Sequence, residues 1–222
     1  MIGDVFNYKV LENAIKGCQV VYNFAALADL DQAMTEPLAS ARTNILGTVQ
    51  ALNLCKKHKV KRFIQASSIY AGTDQGGFYS CSKRAADDYV KEFYKSYNQN
   101  YTILRYGSIY GSRSDKSNGL RKIIERAIWQ RKLIYMGNKK TIRKYVNVLD
   151  VAKASVEILK DSYKNKSILL TGQKVEKISE VLKFISKTLK INSKIIYKNE
   201  KKSKHYVIKP KPYLITEVTE FK

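Results

Sequence analysis

The segment FYSCSKRAADDYVKEFY, residues 78–94, sets a tyrosine and a lysine four residues apart at the start of an amphipathic run. On a helix, positions i and i+4 share one face a turn apart, so Tyr79 and Lys83 can act on one another. A free phenol has a pKa of about 10 and is a poor base at neutral pH. A lysine cation alongside favours the phenolate and lowers that value toward the useful range. Taken alone, the pair reads first as two polar residues on a solvated helix. What it can do depends on what neighbouring elements bring to it.

CQVVYNFAA (18–26) is a β-branched and aromatic run ending in small residues, which predicts a buried strand. After Pro37, LASARTNILGTVQALNLCKKHKV carries apolar residues at helical spacing, with Lys and His near its end, where the helix dipole favours cations. VKRFIQASS (60–68) predicts a second strand, IYAGTDQGG a short loop into the Tyr79 helix, and NYTILRYGSIYG (100–111) a third strand with its exit. This alternation predicts an α/β fold with a doubly wound parallel sheet. Farther on, SNGLRKIIERAIWQRK reads as a helix capped by Ser117 or Asn118. IRKYVNVLDVAKASVEILK reads as a short strand running into a helix with Asp150 as its cap. KSILLTG reads as a strand, and ISEVLKFISKTLK as a helix with Ser179 near its start. No repeat or Pro/Gly-rich linker divides the chain. The expected organisation is a region 1–111 carrying the sheet and the Tyr–Lys motif, interwoven with a smaller mixed α/β region, 112–222. The polar, lysine-rich stretch 198–222 is expected to be loosely ordered.

In open α/β sheets, ligands bind at the C-terminal ends of the strands. Here those ends carry Phe24-Ala25-Ala26, Ser67-Ser68 and Tyr106-Gly107-Ser108. A serine, Tyr79 and Lys83 should therefore converge at one mouth of the sheet. The serine hydroxyl could hold a substrate hydroxyl or carbonyl against the tyrosine. Together the three could take a proton from an alcohol as hydride leaves its carbon for a nicotinamide. Cys81, inside the motif, reads as a spacer, and Asp87 and Asp88 as the polar face of their helix.

Bulk properties exclude several other classes. The chain has 222 residues, long enough for a sizeable core, and 44% are hydrophobic, which is ordinary for a globular protein. No run approaches the ~18 apolar residues of a membrane helix, so no membrane is expected as a partner. Three widely spaced cysteines form neither a disulfide framework nor a metal-ligand pattern, and two histidines are too few for a zinc site, so no metal and a cytoplasmic setting are expected. The formal net charge of +22 suits anionic small molecules through the summed field. It also fits nucleic acid. The spread of the basic residues along the chain, without an RNA-binding aromatic signature, argues against nucleic acid.

The ordered set FAA, SS, YSCSK and LRYGSIYG, within residues 2 to 190, resembles the extended short-chain dehydrogenase/reductase family. Within it the likeness is to the NAD-dependent epimerase/dehydratases that act on nucleotide sugars. The resemblance implies NAD as cofactor and a nucleoside-diphosphate sugar as substrate, epimerised through a transient 4-keto sugar. It implies Tyr79 as catalytic base, Lys83 as its electrostatic partner and ribose contact, and Ser68 facing the substrate. Ser67, the alternative to Ser68, lies on the cofactor side. It further implies Asp4 at the adenine ring, Ala25 and Ala26 along the pyrophosphate and nicotinamide ribose, and Asn44 bracing the active-site loops. Tyr106 and Ser108 would lie beside the nicotinamide and substrate. Arg143, within IRKYVNVLD, would meet the nucleotide phosphates, for which its planar fork is suited.

Two departures from the family's pattern shape the expectation. Such enzymes open with a strand, a G-x-x-G-x-x-G turn and a helix that holds the pyrophosphate. No such element occurs in this sequence, and the Gly72/Gly77 spacing is followed by Phe78 and Tyr79 rather than by a phosphate loop's Lys and Ser/Thr. A Rossmann-like sheet truncated at its N-terminus is therefore expected, with weak or no activity alone. Its partner would be a second copy, through the helices holding Asn44 and Tyr79, or a complementing N-terminal fragment. Ser68 is also followed by Ile69-Tyr70, where the family's sugar 4,6-dehydratases place Asp-Glu. This disfavours a dehydratase and favours 4-epimerase or simple sugar oxidoreductase chemistry, with a nucleotide-sugar reductase as the alternative within the enzyme class. A non-catalytic basic binding or scaffold protein is the alternative from another class.

Overall fold

A computed structural model describes residues 2–172, 174–198 and, for the backbone, 218–220. Most of the stretch expected to be loosely ordered, 198–222, lies outside the described residues. The elements are α1 (Tyr8–Ile15), β1 (Val20–Asn23), α2 (Leu30–Thr35), α3 (Pro37–Ala41), α4 (Gly47–Lys57), β2 (Arg62–Ser68), α5 (Gly77–Tyr97) and β3 (Tyr101–Tyr106). These are followed by β4 (Ser108–Tyr110), α6 (Gly119–Gln130), β5 (Ile134–Met136), β6 (Ile142–Arg143), β7 (Tyr145–Asn147) and α7 (Val148–Glu157). Then come β8 (Lys166–Leu170), β9 (Glu176–Lys177), α8 (Ile178–Thr188), β10 (Ile196–Lys198) and β11 (Val218–Glu220). A π-helical turn, Arg42–Leu46, joins α3 to α4.

The chain forms two compact units. The first contains residues 2–106, 153–170 and 218–220; the second contains 107–152 and most of 171–198. The first unit is built on a five-stranded sheet in the order β1-β2-β3-β8-β11, with every neighbouring pair parallel. Parallel neighbours need long crossovers, and α2 to α4 and then α5 supply them between the first three strands. Alternation along the strands sorts the core into two layers. Phe63, Tyr101 and Ile103 pack with Leu52, Cys55, Val90 and Phe93 of α4 and α5 on one face. Ile64 and Leu104, at the opposite parity, pack with Ala154, Ile158 and Ile168 on the other. Helices on both faces explain why these strands read as nearly continuous apolar runs.

Local signals set the helix ends. Asn7 caps α1 by accepting from Val10 N, and Asn118, not Ser117, caps α6 by accepting from Arg121 N at 3.1 Å. The expected cap at Asp150 is corrected: α7 begins at Val148, Asn147 Oδ1 accepts from Leu149 N at 2.9 Å, and Asp150 lies within the first turn. α8 starts at Ile178 with Ser179 in its first turn. The third strand expected within 100–111 ends at Tyr106, and its exit turns at Gly107 into a short strand of its own. A Cβ there would lie 2.7 Å from the Thr171 side chain, and β4 leaves the main sheet to pair in parallel with β7. In the second unit, α6, β5 and α8 enclose a separate core of Ile123, Ala127, Leu133, Ile178, Leu182 and Ile185. Among the described residues, no helix is long and apolar enough to cross a membrane.

Candidate active site

Tyr79 and Lys83 lie in the first two turns of α5 and are both buried, with Lys83 only 3% exposed. Their placement begins at the glycine pair before them. Gly76 and Gly77 have φ of +93° and +54°, left-handed values that side-chain-bearing residues avoid. The chain thus turns sharply from the Ile69–Gly72 3₁₀ turn into α5. That turn is tied back to the helix: Ser80 Oγ donates to Tyr70 O at 2.7 Å, and Arg84 donates to Ala71 O and Thr73 O. The Tyr70 ring packs edge-on against the Tyr79 ring, centroids 6.4 Å apart.

The two serines at the end of β2 divide between two tasks, as adjacent strand positions must. Ser68 hydrogen-bonds the Tyr79 phenol through its side chain, and its Oγ also accepts from Tyr70 N at 3.2 Å. Ser67 turns to α5 and donates to Asp87 Oδ2 at 2.9 Å. Of the two candidates, Ser68 therefore joins Tyr79, and Ser67 belongs to a buried polar cluster beneath. Lys83 Nζ donates to Ala66 O at 3.0 Å and stands 5.9 Å from the centroid of the Tyr79 ring.

The expected electrostatic effect on the tyrosine is corrected by burial. Desolvation pushes the Tyr79 phenol above its ordinary value, only partly countered by the Ser68 hydrogen bond, and Asp87 adds to the rise. Desolvation also pulls Lys83 down to about 8, against the pull of Asp87 in the other direction. Lys83 touches a carbonyl rather than the phenol oxygen, so a low-dielectric surrounding outweighs its help to a phenolate here.

Asp87 is a second correction. It does not lie on a polar face. It is fully buried, and its Oδ2 accepts from Ser67 Oγ and from Arg105 Nε and Nη2 at 3.2 and 3.1 Å. Asp88, its neighbour, is exposed and forms a loose pair with Lys91 at 3.7 Å. Neither Asp87 nor Arg105 was among the expected site residues. Helical spacing offered the signal, since 79, 83 and 87 fall on one stripe. Cys81 points to the exposed side of the same helix.

Asn44, in the π-helical turn, clamps the loop after β1. Its Oδ1 accepts from Leu27 N at 2.8 Å, and its Nδ2 donates to Leu27 O at 3.0 Å and Ser82 Oγ at 2.9 Å. Half-buried Ala25 and Ala26 lie in that clamped loop. Asn44→Ala strands both polar groups of Leu27, and we expect it to lower unfolding free energy by about 1–3 kcal/mol, read by urea denaturation. Asp4 is exposed, in the turn before α1, where its Oδ1 accepts from Phe6 N. Tyr106 ends β3 on the α7 side of the sheet, its hydroxyl 3.3 Å from Ser155 Oγ. Ser108 and Arg143 belong to the second unit: Ser108 is half-buried on β4, and Arg143 is buried on β6 opposite Glu176.

Comparison with known proteins gives consistent results. Residues 1–170 match the NAD dependent epimerase/dehydratase family. A Methanocaldococcus jannaschii protein provisionally named UDP-glucose 4-epimerase is 25% identical over 210 residues, 87% of this chain and 68% of the relative. A Dictyostelium discoideum dTDP-D-glucose 4,6-dehydratase is 26% identical over 71% of this chain, which spans 42% of that relative's length. In fold, the chain superposes on the UDP-N-acetylglucosamine 4-epimerase of Methanobrevibacter ruminantium with a TM-score of 0.84 and 23% identity, covering 95% of this chain and 74% of that one. A sheet of parallel strands wrapped by helices, a serine–tyrosine–lysine set at its strand ends, and a match over residues 1–170 agree: the chain belongs to the NAD-dependent epimerase/dehydratase family.

Proposed function

We propose that this chain carries the catalytic centre of an NAD-dependent 4-epimerase acting on a nucleoside-diphosphate sugar. The observation that supports it most is the buried hydroxyl pair Ser68–Tyr79 with Lys83 one helical turn behind. NAD, when bound, takes a hydride from the sugar and returns it. The residues present suit its reacting end, because an ammonium carries three donors and Lys83 places one on Ala66 O, leaving others for ribose hydroxyls. Ser68 holds the sugar's 4-oxygen by hydrogen bond. Tyr79, entering as its phenolate, accepts the 4-hydroxyl proton as hydride leaves and gives it back after the 4-keto sugar presents its other face.

The remaining assignments belong to the same reading. Ala25 and Ala26 are small enough for a cofactor to approach the backbone, and Asn44 holds their loop. Ser67 is assigned to the cofactor side and Tyr106 beside the nicotinamide. Asp4 serves the adenine ring, Ser108 the sugar and Arg143 the nucleotide phosphates. No G-x-x-G-x-x-G turn occurs in these 222 residues; in this reading Ala25 and Ala26 line the pyrophosphate and a complementing fragment is the partner that supplies a glycine turn. A cytoplasmic setting and pairing of two copies through α4 and α5 complete the proposal. The names of the relatives support a UDP-sugar as substrate. The dehydratase relative supports a second reading, a sugar 4,6-dehydratase, against which stands Ile69-Tyr70 after Ser68.

Two measurements test this. NADH in excess, at about 100 times its Kd, should raise the melting temperature by several degrees, the equivalent of about 2.7 kcal/mol, and Lys83→Ala should abolish the rise. Incubation with UDP-glucose or UDP-galactose and catalytic NAD should interconvert the two, slowly for this chain alone, with no net NADH. Net consumption of reduced cofactor, or a 4-keto-6-deoxy product, would replace the epimerase reading with a reductase or a dehydratase.

A further inference from the structure

A carboxylate with no solvent exposure needs a function that matches its cost, since burying a charge is unfavourable unless it is paired. Asp87 is paired on one side only. Its Oδ2 takes Ser67 and the Arg105 fork, whereas Oδ1 has no hydrogen-bond partner among the described residues. Half of the carboxylate is thus left without a donor, one helical turn from Lys83 and two from Tyr79. The same residue reaches the catalytic serine from below, because Ser67, which it holds, immediately precedes Ser68 on β2.

We propose that Asp87 is a positioning residue for Lys83, supplying the buried negative charge that keeps the ammonium protonated beside Tyr79. This deepens the epimerase reading and rests on Tyr79 and Lys83 as its reacting pair. The charges facing the pair come from few elements. α5 brings Tyr79, Lys91 and Asp87 itself, and β3 brings Arg105. β2 presents Ser67 and Ser68, and the elements before β2 present neutral Ser40 and Asn44 through Ser82. Burial draws Lys83 down to about 8, and the Asp87 charge is what opposes that pull. Asp87 also disfavours a Tyr79 phenolate, but from twice as far along the helix and with the Lys83 cation between.

The test reads Lys83 directly, on the full chain without substrate or cofactor, so failure of the epimerase reading would not disturb it. A [13Cε]lysine-labelled chain is titrated by NMR, with the Lys83 signal assigned by its absence in Lys83→Arg. Removing the buried anion disfavours the cation, so the Lys83 midpoint should fall to lower pH in Asp87→Asn. Because that variant strands Arg105 and could fail to fold, Asp87→Asn with Arg105→Gln is titrated alongside; it also removes the Arg105 cation, which stands beyond Asp87 on β3, so a smaller fall in the same direction is expected. Ser67→Ala disturbs the packing of the cluster but keeps the charge, and its midpoint should stay at the parental value. An unmoved midpoint in folded Asp87→Asn, or in the folded double variant where the single one does not fold, overturns the proposal. So does an equal fall in Ser67→Ala, which would trace the effect to packing rather than charge.

Discussion

Replacing Tyr79 by Phe should lower the turnover of the proposed epimerisation by about 10²–10⁴-fold while leaving the fold in place, because a positioned proton-transfer group contributes on that order. The separation of the two effects follows from the contacts. The ring is buried and packs edge-on against Tyr70, and Phe keeps all of that area. What disappears is one oxygen and its hydrogen bond to Ser68. A single neutral hydrogen bond is worth about 0.5–1.5 kcal/mol, so the melting temperature should fall by only a few degrees. Binding of NADH, judged by its own thermal shift, should persist, since the ribose donors belong to Lys83. The decisive readout is kcat set beside melting temperature. A Tyr79→Phe protein that retains activity within about tenfold of the parent would place the proton acceptor elsewhere. Ser68→Ala offers a graded comparison: it removes the hydroxyl that orients the substrate but keeps the base, and its loss should be the smaller.

Much of the scaffold was legible because parallel strands covered on both faces leave a plain signature. VVYN, FIQASS and YTILRY are apolar runs too short for helices, and each became a strand of the sheet. The Tyr79–Lys83 pair was legible from spacing alone. Four features were not. The division of labour between Ser67 and Ser68 depends on which residue of β2 faces α5, and an apolar run fixes the strand but not its parity. The break at Gly107 depends on Thr171, sixty-four residues later, crowding the backbone there. By sequence alone Asp87 and Asp88 read together as a polar face. The helix placed Asp87 on the stripe of Tyr79, Lys83, Val90 and Phe93, and its counter-charge comes from β3. A residue's composition class says nothing of a partner eighteen positions away. The direction of the Tyr79 shift was missed for a related reason: spacing gives the neighbour, whereas the depth of burial, which dominates, is a property of the whole fold.

That buried pair makes the strongest stability prediction. Arg105→Met should cost about 3–5 kcal/mol at neutral pH, the range found when one partner of a buried ion pair is removed and the other stays charged. Against a total of about 5–15 kcal/mol for a domain, this is enough to populate the unfolded state. Asp87 has no water to turn to, being fully buried, and with Arg105 gone only the Ser67 hydroxyl remains on its Oδ2. The pH dependence has a definite sign. Desolvation already holds the folded carboxyl above its ordinary value, and Arg105 is the largest influence pulling it back down. Removing Arg105 therefore raises it further. A group whose folded pKa lies above its unfolded one stabilises fully below the unfolded value, and that contribution is lost as pH rises through the folded value. Arg105→Met should accordingly lie farther below the parent at pH 7.5 than at pH 5, because the deficit shrinks as falling pH protonates Asp87. Urea denaturation of both proteins at the two pH values checks this. A deficit that is the same at pH 5 and 7.5 would mean that lost packing of the arginine stem, not the stranded charge, sets the cost. Asp87→Leu combined with Arg105→Met separates the two causes independently. With no charge left to strand, it should recover most of the loss, short of the ~1 kcal/mol for the Ser67 hydroxyl deprived of its acceptor.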